Sequence, residues 1–210
     1  MSGPWILPLR GEARVEIAER ACVAVVGPAA AAHVGAWGDT EAAAILVPDA
    51  QEPLLAGWSV ADQIAAALGG TRRAALDRAV DLLERADVSE PHRRVRARPH
   101  QLTAVDRQRA QLALVLARDP ALLVAEDPSA GLVPDDAAAL LATLRRVWVS
   151  GGFALVVGTG DLTDAERVAD ELIILDADDG VRERRRRVTT AGSGEAQASS
   201  TSSPSSSSST

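Results

Sequence analysis

Apolar residues along this chain fall into two rhythms. Five short runs, Ala21–Val26, Ala42–Val47, Ala121–Ala125, Phe153–Val157 and Glu171–Leu175, have the length of strands, and each ends at Gly, Pro or an acidic residue. Between them, apolar positions recur at helical spacing. Leu76, Val80 and Leu83 share one face of Thr71–Asp87, and Leu112, Val115 and Leu116 one face of Val105–Arg118. Leu140, Leu141, Leu144 and Trp148 line a helix that opens at Asp135–Asp136, where carboxylates complement the dipole, and stops at Gly151–Gly152. Ser59, with Asp62 three residues on, caps a helix running to about Leu68, and Thr163-Asp164-Ala165-Glu166 has the form of a capping box. Continuous apolar strands alternating with helices predict an α/β fold with a mostly parallel sheet covered on both faces. Residues 1–190 are expected to form one domain, with a helical subdomain over about 59–119. The Ser-rich residues 191–210 cannot bury enough apolar surface and are expected to be a disordered tail.

Composition narrows the chemistry. Hydrophobic residues make up 47% and aromatics only 2%, so the core must be built from Ala, Leu, Val and Ile. All 22 basic residues are Arg, which removes lysine chemistry from the whole chain. A net charge of −7 argues against a general nucleic-acid binder. The single Cys22 lies in an apolar run and reads as a small core residue; one cysteine excludes an internal disulfide and suits a reducing cytoplasm. No apolar stretch reaches the roughly 18 residues needed to span a membrane, and MSGPWILPLRGE lacks a signal-peptide pattern. A cytoplasmic location is expected, at most peripheral to the inner face of the cell membrane. His92 and His100 have no companion metal ligands at useful spacing, so no metal centre is expected. The basic runs His92–Arg98 and Arg182–Arg187 read as solvated charge, with contact to acidic partners or lipid head groups as the alternative.

Four segments, in order, resemble the ATP-binding subunits of ABC importers, most of all the dipeptide and oligopeptide group. RPHQLTAVDRQRAQLALVLARDPALLVAEDPSAGL (Arg98–Leu132) is similar to the family's signature loop, its following helix and the Walker B strand. Pro48–Leu68 resembles the Q-loop and the helix after it. Phe153–Leu175 resembles the H-switch strand and the last core strand, and ACVAVVGPAAAAHV (Ala21–Val34) occupies the Walker A position. The resemblance spans about residues 13–180. It implies a P-loop NTPase-like ABC ATPase core with a helical subdomain, ATP and Mg²⁺ as cofactors, and a membrane permease or a sister ATPase as partner.

Position by position, the family's chemistry is altered. A Walker A loop needs glycines so that backbone N–H groups curl around phosphate, a Lys for the outer oxygens and a Ser or Thr for Mg²⁺. Gly27 keeps the first glycine. The other two glycine positions are Ala30 and Ala32, the Lys position is His33 and the Ser/Thr position is Val34. At Walker B the order of carboxylates is reversed, Glu126 then Asp127. This pair is the best remnant of a catalytic site, and its alternative reading is a solvated acidic strand end. Gly160 takes the H-switch position, and Pro48 the Q-loop glutamine, with Gln51 three residues beyond. Trp5 is the candidate for the adenine-stacking aromatic, with core packing as its plainer role. The signature loop reads Leu102-Thr103-Ala104-Val105-Asp106, where Thr103 can replace the family's Ser, Val105 replaces a glycine, and Asp106 adds negative charge. Val133 replaces the D-loop Asp. Only about a dozen residues, GAWGDTEAAAIL, follow Val34 before the next strand end, so the antiparallel β-subdomain is expected to be truncated.

These readings imply a subunit with impaired catalysis that retains a docking surface for a permease or a sister ATPase. The alternatives are a weak ATPase using Glu126 and Asp127, or a decaying paralogue without activity.

Overall fold

Both faces of the central sheet are buried, which is why its strands carry no polar alternation. In β3 (Cys22–Val26), Cys22, Ala24 and Val26 enter one apolar cluster while Val23 and Val25 enter another on the opposite face. The same division holds in β5 (Leu122–Glu126), with Leu123 and Ala125 on one side and Leu122 and Val124 on the other. It holds again in β6 (Ala154–Thr159). The computed structural model describes residues 4–8, 14–36, 43–48, 54–69, 72–178 and 180–186. The Ser-rich tail and Gln51 lie outside these residues.

The sheet is completed by β4 (Ala43–Leu46), β7 (Glu171–Leu175) and β8 (Val181–Arg186), in the order β4-β5-β6-β3-β7-β8. The first five strands are parallel, and β8 runs antiparallel to β7. One face is covered by α1 (Ala30–Gly35) and by the hairpin of β1 (Trp5–Pro8) and β2 (Arg14–Ile17). This two-stranded antiparallel hairpin is what the described residues contain of the β-subdomain. The other face carries α2 (Val60–Leu68), α3 (Arg72–Arg85), α5 (Ala104–Leu116), α6 (Pro134–Ser150) and α7 (Leu162–Val168), with the short α4 (Pro91–Arg94) beside α3. Ser59 caps α2 as expected, its hydroxyl accepting from the Asp62 N–H at 3.2 Å.

One local expectation is corrected and another is extended. The cap of α7 is Asp161, whose carboxylate accepts from the N–H groups of Thr163 and Asp164 at 2.7 and 3.2 Å, so the helix begins before the Thr163 box. Arg182–Arg186, read from its charge as solvated, is exposed at every position and also forms part of an edge strand. Its six residues have no buried apolar side chain to announce it. The β7 ladder and the buried Glu171, which pairs with Arg184 and Arg186, hold it in place.

Candidate functional site

Because β3, β4, β5 and β6 are parallel, their carboxyl ends share one edge of the sheet, the place where open α/β sheets bind ligands. Gly27, the pair Glu126 and Asp127, Thr159 and Gly160 all lie there. Gly27 closes against β7: a Cβ at this position would stand 3.0 Å from Leu175 Cβ. Its N–H donates to Thr159 O at 3.2 Å, which ties the loop to the end of β6.

The segment after Gly27 is a tight turn. The Ala30 N–H donates to Gly27 O at 3.1 Å, Pro28 has no N–H, and α1 already begins at Ala30. In an anion-binding loop those amides would face outward to a phosphate; here the turn draws Ala30's inward. Within α1, Ala30 and Val34 are fully buried, His33 is half-buried and Ala32 is exposed. Val34 rests on Gly158 of β6, where a Cβ would meet Val34 Cγ2 at 2.4 Å and Ala30 O at 2.6 Å. The residue in the magnesium-ligand position is thus a sealed apolar contact. Gly158 escaped sequence reading, although a glycine inside an apolar strand is itself a sign of close backbone approach.

Glu126 points toward α1 and its carboxylate fills the space beside Gly35, where a Cβ would lie 1.9 Å from Oε1. Burial pushes its carboxyl above the ordinary carboxylate range. Asp127 takes a left-handed backbone (φ 37°), and its N–H donates to Gly158 O at 2.7 Å. Its carboxylate accepts a long 3.4 Å hydrogen bond from Thr159 Oγ1. Burial is the main cause that raises this carboxyl too; the Thr159 bond opposes it, and the charges of Asp164 and Asp161 add to it. Asp161 is shifted the other way by the two backbone N–H groups it caps. Asp164 is held by the Ser129 hydroxyl at 2.7 Å. Among the described residues no cluster of His, Cys, Asp and Glu has the arrangement of a metal site.

A carboxyl raised by burial binds its proton more tightly folded than unfolded. Glu126 and Asp127 therefore cost stability when ionised, and the cost fades as pH falls through their raised folded values toward the ordinary range. The double variant Glu126→Gln/Asp127→Asn is expected to gain up to about 0.5 kcal/mol at neutral pH, a small value because both groups are partly exposed and solvent-screened. It is also expected to flatten the rise in stability as pH falls from neutral toward the ordinary carboxylate range, measured by urea unfolding across pH.

The signature-position residues belong to a different element. Thr103 caps α5, its hydroxyl accepting from the Asp106 N–H at 3.2 Å, and Ala104 and Val105 form the first turn, half-exposed. Asp106 adds no surface charge there: it is buried and accepts from the Ser89 N–H (3.2 Å) and hydroxyl (2.6 Å). Further along the same helix, the buried Gln108 donates to Val47 O at 2.8 Å and pins α5 to the end of β4, just before Pro48. Gly160 is exposed with no atom within 4 Å of a Cβ built there, so an imidazole would fit at the H-switch position. Trp5 packs against the apolar cluster around Val15 and Ile17.

No protein-family model matches the chain. It is 33% identical over 132 residues to an oligopeptide transport ATP-binding protein of Mycobacterium tuberculosis, covering 60% of this chain and 22% of that protein. To a dipeptide transport ATP-binding protein of Haemophilus influenzae it is 30% identical over 144 residues, 67% of this chain and 44% of that one. In fold it is similar to a dimeric post-hydrolysis ATP-binding cassette bound to ADP and Pi, with TM-score 0.65 at 18% identity, covering 88% of this chain and 96% of that chain. The chain is a homologue of the ABC ATPases. CbiO1 of Clostridium perfringens, part of an ABC transporter complex, has the same fold, with TM-score 0.70 at 16% identity over 84% of this chain and 81% of its own. This ABC ATPase homologue spans less than half the length of the two peptide-transport relatives. Set against the family's nucleotide-site motifs, three of the residues present differ in chemistry. The loop amide turns inward, Val34 offers no oxygen, and the cation that would meet the outer phosphates is an imidazole on a helix.

Proposed function

We propose that this ABC ATPase homologue serves a peptide-type transporter as a docking subunit that engages a membrane permease or a sister ATPase without turning over ATP. The observation that supports the reading is the turn at Gly27–Ala30, whose internal hydrogen bond engages the Ala30 N–H, together with the buried Val34, which offers no oxygen to a metal. The docking half of the reading rests on a groove of about 590 Å³ between the edge strand β4 and helices α2 and α5, lined by Leu46, Leu54, Leu55, Trp58 and Leu114 among others. Leu55 and Trp58, 57% and 47% exposed, both line this groove and make its apolar surface accessible. Their loop is held ready by the buried Gln63, which accepts from the Leu55 N–H at 2.8 Å and donates to Leu55 O and Trp58 O at 3.4 Å. Such a preorganised apolar lip suits an amphipathic helix laid into the groove. No helix among the described residues is long and apolar enough to cross a membrane.

Calorimetric titration with Mg-ATP tests the first half. The expected result is no saturable heat up to about millimolar nucleotide, and saturation below that would overturn it. The weak-hydrolase alternative draws on Glu126 and Asp127 standing at the shared strand edge; it requires both that heat and a loss of turnover in Asp127→Ala. Co-expression with transporter permease subunits of the same genome tests the second half. Trp58→Ala is expected to weaken co-purification by about tenfold or more, as loss of a central aromatic anchor does. Equal recovery with Trp58→Ala and Leu55→Glu would remove the groove from consideration.

A further inference from the structure

The helical layer holds two adjoining hollows on which none of the lining residues of the β4 groove appear. One, of about 320 Å³, is lined by Arg93, Arg94, Arg96, Ala97 and Gln101. The other, of about 510 Å³, is lined by Ser59, Ala61, Arg73, Leu76 and Arg96. Arg96 lines both, and the backbone explains its position. The first N–H groups of α2, on Val60 and Ala61, donate to Ala97 O and Val95 O at 2.9 and 2.8 Å, strapping Val95–Ala97 across the start of the helix. Val95 is buried by this strap and Arg96 is turned outward. Arg94 is fixed by donation to Gln101 O at 2.8 Å.

Charge here runs against that of the chain as a whole, whose net charge is −7. Glu90 lies 3.2 Å from Arg93 and 3.8 Å from Arg94 and offsets one of the four arginines. Arg73 and Arg96 have no carboxylate partner among the described residues. Guanidinium groups gathered in a hollow favour carboxylates or phosphates. The guanidinium groups are shared out between two hollows that meet at Arg96, with Arg93 and Arg94 in one and Arg73 in the other, and with Ala61, Leu76 and Ala97 among the lining. They match an extended segment in which carboxylates alternate with small apolar side chains. We propose that this arginine-lined groove docks an acidic polypeptide segment of a partner protein. The inference stands independently of permease docking at β4, and failure of either leaves the other intact.

The test uses the full chain and a fluorescein-labelled peptide of repeating Glu-Ala-Glu-Leu, followed by anisotropy. The expected result is saturable binding that weakens as salt rises and falls by about tenfold in Arg73→Glu/Arg96→Glu, while Arg182→Glu on β8 changes nothing. Both substituted side chains are exposed, and an unchanged melting temperature confirms the fold of the variant. Equal binding of a Gln-for-Glu peptide, or no loss in the double variant, overturns the proposal. So does variant-sensitive binding to phosphatidylglycerol vesicles that exceeds binding to the peptide, which would assign the groove to lipid head groups. Full displacement of the peptide by inorganic phosphate would likewise overturn it, in favour of a simple anion site.

Discussion

Gly158→Ala is expected to destabilise the protein by about 3 kcal/mol, close to the upper end for overpacking a core. The added Cβ would stand 2.4 Å from Val34 Cγ2, 2.6 Å from Ala30 O and 2.9 Å from Ala31 Cα. Two of those three atoms are backbone of α1, so no rotamer change relieves the clash; the helix itself must lift from β6. Val34→Ala would remove the first contact and leave the other two. The double variant is therefore expected to remain well below Val34→Ala alone in urea midpoint. For a chain of this size the single change corresponds to a melting temperature lower by roughly 6–12 °C. A loss below about 1 kcal/mol would mean that α1 does not sit this close to the sheet. The loop after Gly27 would then not be sealed either, because the close seat of α1 is what buries Val34 and draws Ala30 into the turn.

The same contact shows what was legible in the sequence and what was not. The strands were readable because each is buried on two faces, so Cys22–Val26, Leu122–Glu126 and Ala154–Thr159 appear as unbroken apolar runs. Hairpin β1–β2 was harder to see because it is short, and β8 because its stability comes from ladder bonds and Glu171, neither of which has an apolar rhythm. At the candidate site the substituted positions could be named from order and spacing alone. Their consequences could not. Ala30 and Ala32 lose glycine's conformational freedom on paper, but the larger effect is that the segment becomes helix and starts early, a result of alanine's helix propensity together with packing against Gly158. Glu126 reads as a displaced carboxylate, and only the fold reveals that it fills the space beside Gly35. These are contacts between residues far apart in sequence, which local patterns do not encode.

Asp106 makes the second large prediction, because it changes the meaning of the altered signature loop. On the sequence it is a charge placed where the family has glutamine. In the fold it is 2% exposed and accepts both the N–H and the hydroxyl of Ser89, while its own N–H completes the Thr103 cap of α5. A buried carboxylate is stable only while its donors remain in place; Ser89 itself is exposed, so removing the carboxylate forfeits two charge-assisted bonds, and the freed donors turn to water. Asp106→Ala is expected to cost about 2–4 kcal/mol by urea unfolding, with Ser89→Ala costing less because Asp106 keeps the Ser89 N–H. The two losses should be less than additive, since each change abolishes the same hydroxyl bond. Asp106→Gln, which restores the family residue, should also destabilise, by about 1–3 kcal/mol, since a longer side chain must enter a filled space and can form at best a neutral bond to Ser89. If Asp106→Gln were neutral or stabilising, Asp106 would be an incidental surface charge and the signature loop could be repaired by one substitution. The expected loss implies instead that this residue now ties α5 to the loop between α3 and α4, so that restoring the signature would first require rebuilding its support at Ser89.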